Sequence, residues 1–447
     1  MDEITLRLIE NLNEHWALGK VPERLKERIK REKFQDIIKY LDERQIITIV
    51  GLRRTGKTTL MFQMMEHLME KGVMPKNILY FSFDELTSKS PETIDEIIQH
   101  FASNISKSNM ESKERRYIFF DEIQKVENWQ AVLKRYYDLK YSLKFIVSGS
   151  ESLLLRKKTK ETMAGRSFDF LLTPMSFREY LEFNGIKAEK GTCREIYAKT
   201  ITHHAKLKGM FEEFLLRGGF PETIGMDTHR LQEYLYESVL QKIVFSDIPS
   251  MFNISNPEML VKIMELVSKN TSQLFEIGQI CEVFNISRNS ASSYLSYLEN
   301  SFLISMSFNY TQSKVKQLRT RKKAYINDTG IANSLLKQVH IESPEYLGQL
   351  AETQIYNEIS RRHPTLFWRD KMQHEVDIIA KNRKIIPVEV KYRATISTGD
   401  IKNMEIFMKK NSVAKGIIVT KDLFREEKSL IYIPAWIFLL SYETLME

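Results

Sequence analysis

Five apolar or β-branched residues, Ile46-Ile47-Thr48-Ile49-Val50, run directly into Gly51-Leu52-Arg53-Arg54-Thr55-Gly56-Lys57-Thr58, and a helical pattern follows over 59–71. No other stretch constrains the fold as strongly. A glycine-rich loop between a buried strand and a helix points backbone N–H groups at phosphate, and the helix N-terminus adds partial positive charge. Gly51 and Gly56 permit the tight backbone. Lys57 is placed to reach the β- and γ-phosphates and Thr58 to ligate Mg²⁺, with Arg54, Thr55 and Thr59 completing the loop's contacts to ATP. Further strand-like runs at 78–83, 117–120 and 145–147 alternate with helical patterns. That alternation predicts a mostly parallel sheet covered on both faces over about residues 20–180.

Two of those later strands end in polar residues of the right kind. Ile118-Phe119-Phe120-Asp121-Glu122 is an apolar strand closing on two carboxylates. Asp121 suits the Mg²⁺ shell, and Glu122 suits polarisation of an attacking water. The next strand ends in Ser148-Gly149-Ser150, where Ser148 and Ser150 are placed to sense the γ-phosphate. Arg166, in Ala164-Gly165-Arg166, is a candidate arginine finger, presented from a loop to neutralise transition-state charge on this or a neighbouring subunit. A finger acting in trans requires a neighbour, so a homo-oligomer is compatible with the chain; no subunit number follows.

A chain of 447 residues holds two to four domains at roughly 100–200 residues each, and 43% apolar content is enough to give them buried cores. A net charge of +8 suits a polyanionic partner and equally suits ordinary solubility. Cys193 and Cys281 lack metal-ligand spacing and read as reduced thiols of a cytoplasmic protein. Met1-Asp2-Glu3 opens no secretory signal, and no apolar run reaches the ~18–20 residues that span a bilayer, so no membrane partner is expected. Ile431–Leu440 is apolar but short, and Pro434 predicts a buried strand or loop there rather than a helix.

Elsewhere, Pro22–Arg44 carries apolar residues at helical spacing and predicts a surface helix. After Pro174 the pattern is helical to about residue 250. A helix over Phe275–Phe284, a turn at Asn285-Ile286-Ser287, a second helix over Arg288–Phe302 and a strand at Ile304–Tyr310 predict a winged helix-turn-helix. Arg288 and Asn289 on the second helix, and Arg321, Lys322 and Lys323 in a basic cluster with Lys314, Lys316 and Arg319, are the expected DNA contacts. Protein docking by the same module is the other reading of that segment.

Val388-Glu389-Val390-Lys391 alternates at period two, so Glu389 and Lys391 share a strand face. A carboxylate beside an amine suits a metal ligand and a water-orienting cation. Asp377, on the preceding strand, is expected to meet Glu389 across a hairpin, and Glu352, on a helix over Gly348–Arg361, completes the cluster. Glu352, Asp377 and Glu389 are thus candidate Mg²⁺ ligands of a phosphodiester-cleaving site that Lys391 assists. His374 and Glu375 lack metal spacing and read as flanking residues.

Taken together, the Walker loop, Phe120-Asp121-Glu122-Ile123-Gln124 with Trp129, Ser148-Gly149-Ser150, Gly165-Arg166 and Pro174-Met175-Ser176-Phe177 resemble a prokaryotic AAA+-type ATPase family fused to a winged helix and a nuclease-like domain. Gly218-Gly219-Phe220-Pro221-Glu222 and Tyr325-Ile326-Asn327-Asp328-Thr329-Gly330 look like that family's linking segments. Glu352, Trp368-Arg369, Glu375-Val376-Asp377 and Glu389-Val390-Lys391 are similar to the PD-(D/E)xK nuclease superfamily, with Val376 where the literal Pro would stand. The resemblance implies an α/β chain of four parts. These are an AAA+-type ATPase at 1–180, a helical lid at 181–250, a winged helix-turn-helix at 251–325 and a restriction-endonuclease-like domain at 326–447. It implies ATP hydrolysis coupled to DNA remodelling and Mg²⁺-dependent strand cleavage, with branched or junction DNA as the expected substrate. The alternative is a nucleotide-switched DNA-binding regulator or defence-type sensor whose nuclease-like domain does not cleave.

Overall fold

Strand β1, Ile46–Val50, is buried at all five positions, as a run of Ile, Val and Thr with both faces covered should be. It sits inside a five-stranded parallel sheet with β2 (Ile78–Ser82), β3 (Arg116–Asp121), β4 (Leu143–Gly149) and β5 (Ser167–Leu171), in the order β2-β3-β4-β1-β5. The computed structural model describes residues 1–84, 86, 90–107, 111–149, 163–252, 254–311, 313, 317 and 320–446. Within it the chain divides into two units, Met1–Thr173 and Pro174–Glu447. Ser150 and the basic residues Lys314, Lys316 and Arg319 lie outside the described residues.

In the first unit β1 lies between β4 and β5, so the chain leaves β1 for β2 at the far edge and then returns strand by strand. That reversal opens a crevice at the carboxyl ends of β1, β3 and β4, where ligands of parallel α/β sheets bind. Separate apolar layers cover the two sheet faces. One gathers Leu79, Phe81, Ile118, Phe120 and Val147 with Trp129 and Leu133; the other gathers Ile47, Ile49, Phe119 and Ile146 with Leu60 and Met64. The predicted helix Pro22–Arg44 is instead broken into Glu23–Leu25 and Glu32–Ile38. Arg31 is extended there (φ −63°, ψ 146°), because its guanidinium donates to the Thr55 and Thr173 carbonyls at 2.6 and 2.8 Å.

The second unit carries two sheets. A six-stranded mixed sheet contains β9 (Thr365–Arg369), β10 (Glu375–Lys381), β11 (Ile385–Lys391), β12 (Gly416–Thr420), β13 (Arg425–Glu426) and β14 (Leu430–Pro434), ordered β13-β14-β12-β11-β10-β9. Helix Pro344–Ser360 packs Leu350, Ala351, Ile355 and Ile359 into a core shared with Ile378, Val388 and Trp436. Pro434 ends β14, and Ala435–Met446 forms a buried helix where a strand or loop was expected. The proline lies before the helix rather than inside it, so its missing N–H disturbs nothing. The other sheet is a small antiparallel one of β6 (Leu274–Phe275), β7 (Ile304–Phe308) and β8 (Lys322–Ile326), with β8 central. β6 falls between the helices Glu258–Lys269 and Ile277–Phe284, and β7 and β8 follow the helix Arg288–Asn300. Ser287 caps the last of these by accepting from the Ser290 N–H at 3.1 Å, as its sequence position predicts.

Candidate functional sites

Gly56 adopts φ +92° where the loop turns into helix Lys57–Glu70, a conformation that a side chain resists. At Gly51 a Cβ would lie 2.2 Å from the Leu172 carbonyl oxygen, so only glycine lets the loop pass β5's end. Thr55 donates to the Leu52 carbonyl at 2.9 Å. The Lys57 side chain is buried and curls back over the loop, its ammonium 2.9 Å from the Leu52 carbonyl and 3.3 Å from that of Gly51. Arg54 is exposed at φ +65°, and Thr59 is half-buried on the helix's first turn.

Asp121, at the carboxyl end of β3, collects the donors around this loop. Its Oδ2 accepts from the Thr58 hydroxyl at 2.6 Å and from the Tyr80 hydroxyl at 3.0 Å. Its Oδ1 accepts from the Ser148 hydroxyl, and from the Glu122 N–H at 3.2 Å. Burial, then the nearby Asp121 charge, keep the Tyr80 hydroxyl protonated, its pKa well above the usual phenolic value. Glu122 stands at φ +53°, and the Gln124 amide donates to its Oε2 at 2.6 Å. The sheet therefore brings Lys57, Thr58, Asp121, Glu122 and Ser148 to one crevice, as their spacing predicts. Sequence reasoning missed Tyr80 and Gln124. A tyrosine inside a strand carries no signal of its own; Gln124, two residues past Glu122, was within reach. Thr58 Oγ1 and Asp121 Oδ2, 2.6 Å apart, are oxygen donors of the kind that a hard cation such as Mg²⁺ takes.

Arg166 is not part of this crevice in its own chain. Its carbonyl accepts from the Ile46 N–H at 2.8 Å, which puts it at the amino end of β1, opposite the glycine loop. Its guanidinium is paired with Asp138 at 2.9 Å. The strand length between the two ends, about 16 Å, separates Arg166 from the phosphate loop.

The second expected cluster also assembles, with an unexpected centre. Asp377 lies at a register shift between β10 and β9, and β10 pairs antiparallel with β11. The Asp377 N–H donates to Glu389 Oε2 at 3.2 Å, and Asp377 Oδ2 accepts from the Val390 N–H at 3.0 Å. Lys391 lies 2.5 Å from Glu389 and 3.8 Å from Asp377. Helix Pro344–Ser360 adds Glu352. The cation at the centre is Lys323 of β8. Its ammonium is 3.0 Å from Glu352, 2.8 Å from Glu375 and 3.1 Å from Asp377, and its side chain is 2% exposed. The Tyr325 hydroxyl donates to Glu352 at 3.0 Å, and the Tyr325 ring stacks on Tyr356 at 3.7 Å. Lys323 and Tyr325 share one face of β8, and Glu352 and Tyr356 share one face of the helix. The two faces interlock.

Three sequence expectations change here. Lys323 is no surface contact for DNA. Glu375 is no flanking residue; period two from Asp377 already put it on the same strand face. The carboxylates Glu352, Asp377 and Glu389 do not make a metal cage, because the Lys323 ammonium lies between Glu352 and Asp377 while Lys391 pairs Glu389. Among the described residues no group of three His, Cys, Asp or Glu is arranged to hold a metal ion. Burial and then the Asp377 charge push Glu389 up to about 8 and Glu352 up to about 7. Burial also acts to raise Asp377, but the charges of Lys323 and Lys391 outweigh it and hold that carboxyl low. Burial opposes the Lys323 charge, and the surrounding acids, Glu352 foremost, overcome it and hold the ammonium protonated.

Of the remaining expected DNA contacts, Arg288 and Asn289 are exposed at the start of helix Arg288–Asn300, with Ser292, Ser293 and Ser296 exposed along it. Arg321 is exposed and ion-paired to Glu276, and the Lys322 ammonium lies 4.5 Å from the Phe308 ring centre. His374 bonds Asp370 at 3.1 Å and takes no part in the cluster.

Residues 43–181 match the family described as AAA domain. That match supports a P-loop ATPase domain. Residues 208–340 and 347–438 match two families described as domains of unknown function, DUF8612 and DUF4143. An uncharacterized protein of Haemophilus influenzae is 25% identical over 92% of this chain and 98% of its own length. Two uncharacterized proteins of Methanocaldococcus jannaschii are 27% and 25% identical, over 83% and 91% of this chain and 80% and 87% of theirs. Among solved structures, C. elegans PCH-2 aligns over 53% of this chain and 67% of its own, at 11% identity and a TM-score of 0.28. The S. cerevisiae Hsp104–ADP complex aligns over 76% and 45%, at 13% identity and a TM-score of 0.32. Among the described residues no helix is long and apolar enough to cross a membrane.

Proposed function

We propose that this chain binds ATP with Mg²⁺ in the crevice at the carboxyl ends of β1, β3 and β4, and couples its hydrolysis to gripping a polynucleotide with its second unit. The convergence of Thr58 and Ser148 on Asp121, beside Lys57 and Glu122, carries the first part. Lys57 neutralises the outer phosphates, and Thr58 with Asp121 holds the metal shell. Glu122 orients the attacking water, and Ser148 ties the state of that water's neighbour, Asp121, to β4. The bound metal supplies charge neutralisation on the phosphates. Gln124, bonded to the Glu122 carboxylate, sets where that carboxylate points.

Two features support the grip. Helix Arg288–Asn300 offers an exposed face of Arg, Asn and Ser without an apolar side chain among them, the chemistry that reads phosphate and base edges. A groove of about 590 Å³ beside β11 is lined by Lys208, Lys391, Arg393 and Lys421, each ion-paired to a carboxylate (Asp422, Glu389, Asp400 and Glu212), so a phosphate backbone would engage these cations by exchanging with those partners. DNA, branched or not, is the partner we favour. In this reading helix Arg288–Asn300 and the antiparallel β6-β8-β7 sheet act as a winged helix, and the six-stranded sheet is a nuclease-like fold that holds without cutting. The Lys323 ammonium among Glu352, Glu375 and Asp377 favours that non-cleaving reading over strand cleavage.

Filter binding of the purified chain to four-way junction, flap, single-strand and duplex DNA tests the proposal, run with and without ATP and Mg²⁺ alongside ADP release and plasmid nicking. We expect ADP release, nucleotide-dependent binding that weakens steeply with salt, and intact plasmid. Indifference to every DNA offered, in every nucleotide state, overturns the grip. Nicking that Asp377→Ala abolishes overturns the non-cleaving reading.

A further inference from the structure

We infer that Lys323 is the resident cation of the carboxylate cluster, standing where a nuclease-like fold would bind a divalent ion, and that its removal uncovers a latent metal site. The inference rests on the non-cleaving reading above and gives it a cause.

Three observations carry it. First, the ammonium lies within 2.8 to 3.1 Å of Glu352, Glu375 and Asp377, hydrogen-bonded to Glu352 and Asp377 and ion-paired to Glu375. Carboxylates meet its charge from three directions, so it is seated rather than passing. Second, the other cations complete the neutralisation: Arg369 lies 2.7 Å from the second oxygen of Glu375, and Lys391 lies 2.5 Å from Glu389. Three cations thus face four carboxylates, and a divalent ion entering such a centre meets charge that is already spoken for. Third, Lys323 cannot readily swing away. It is 2% exposed, and it lies on β8, the central strand of its sheet, between Leu274 on β6 and Ser307 on β7. The lysine therefore acts as an internal cross-tie from the three-stranded sheet to helix Pro344–Ser360 and β10.

Without the ammonium, Glu352, Glu375 and Asp377, which as they stand form no metal-holding group, would be three buried carboxylates with unbalanced charge, free to close on Mg²⁺ or Mn²⁺, which take such donors. Lys323→Met keeps the unbranched apolar stem as far as Cε while deleting the ammonium.

The test is Mn²⁺ uptake by the full-length protein without nucleotide, read from loss of the free-ion paramagnetic resonance signal. Wild type, Asp377→Asn and Glu352→Gln should take up the same amount, since the cluster binds no metal while Lys323 is present. Lys323→Met should take up about one further equivalent per chain, lost again in Lys323→Met with Asp377→Asn. Uptake by wild type that falls in Asp377→Asn or Glu352→Gln overturns the inference, even if Lys323→Met does not fold. A folded Lys323→Met protein with no added uptake overturns it too. Plasmid nicking that Asp377→Ala abolishes would defeat the non-cleaving reading itself, whereas a folded Lys323→Met protein with no added uptake leaves that reading standing and defeats only the inference, so the two failures are distinguishable.

Discussion

Asp121→Asn separates the two tasks that the crevice sets for this side chain. One oxygen accepts from Thr58 and Tyr80, the other from Ser148 and the Glu122 N–H. The backbone N–H cannot accept, so the new amide must keep its oxygen there and turn its NH₂ toward Thr58 and Tyr80. Those hydroxyls can rotate to accept. All four bonds lose their charge assistance and two of them reverse direction, which costs about 1–4 kcal/mol in stability. For a unit of this size that lowers Tm by about 2–16 °C. The catalytic cost is of another kind. An NH₂ beside Thr58 cannot join it in holding Mg²⁺, and losing that electrostatic element slows hydrolysis by roughly 100-fold or more. Melting by circular dichroism and ADP release in a coupled assay measure the two losses independently. Hydrolysis retained within about threefold of wild type would refute the assignment of Asp121 to the metal shell, since removing such a contact costs far more.

Glu122→Gln should reduce kcat by about 10²–10⁴ while nucleotide binding, followed by fluorescence of an ATP analogue, survives. Arg166→Ala removes a solvent-screened pair with Asp138, so the melting temperature should match wild type. Its ADP release should match wild type at low protein concentration, and a deficit that appears only as concentration rises would assign Arg166 to a neighbouring subunit's site. Lys323→Met strips the charge from a buried ion cluster and should cost about 3–5 kcal/mol, read as a fall in the guanidinium midpoint. Arg288→Glu should weaken binding to duplexes of any sequence and lower the salt slope by about 1 if Arg288 contacts phosphate, or relax specificity at one position if it reads a base.

Much of the nucleotide crevice was legible because its determinants are local. A strand, a glycine turn and a helix start within about a dozen consecutive residues leave one backbone path, and apolar strands that end in Asp121 or Ser148 deliver those side chains to the same sheet edge. The meeting of Asp377 with Glu389 was legible for a similar reason, since a short hairpin leaves few registers. Arg166 was not legible. A loop arginine says nothing of which edge of the sheet its loop lies on, and here it lies at the start of β5. The break at Arg31 was hidden as well, because its cause is a bond to carbonyls of Thr55 and Thr173, far along the chain.

The sharpest division falls within Arg321-Lys322-Lys323. By sequence the three form one basic patch. In the structure β8 alternates, so Lys322 stays near the surface while Lys323 points into a core that a helix and a second sheet supply. Sequence by itself determined the chemistry on offer: a phosphate-cradling loop, acidic strand ends, and a carboxylate cluster drawn together by a hairpin and a helix. Tertiary structure alone decided that a lysine 29 residues before Glu352 and 54 before Asp377 would neutralise that cluster. Local periodicity tells which face of an element a side chain takes, but charge compensation in a buried site depends on what another element brings to that face.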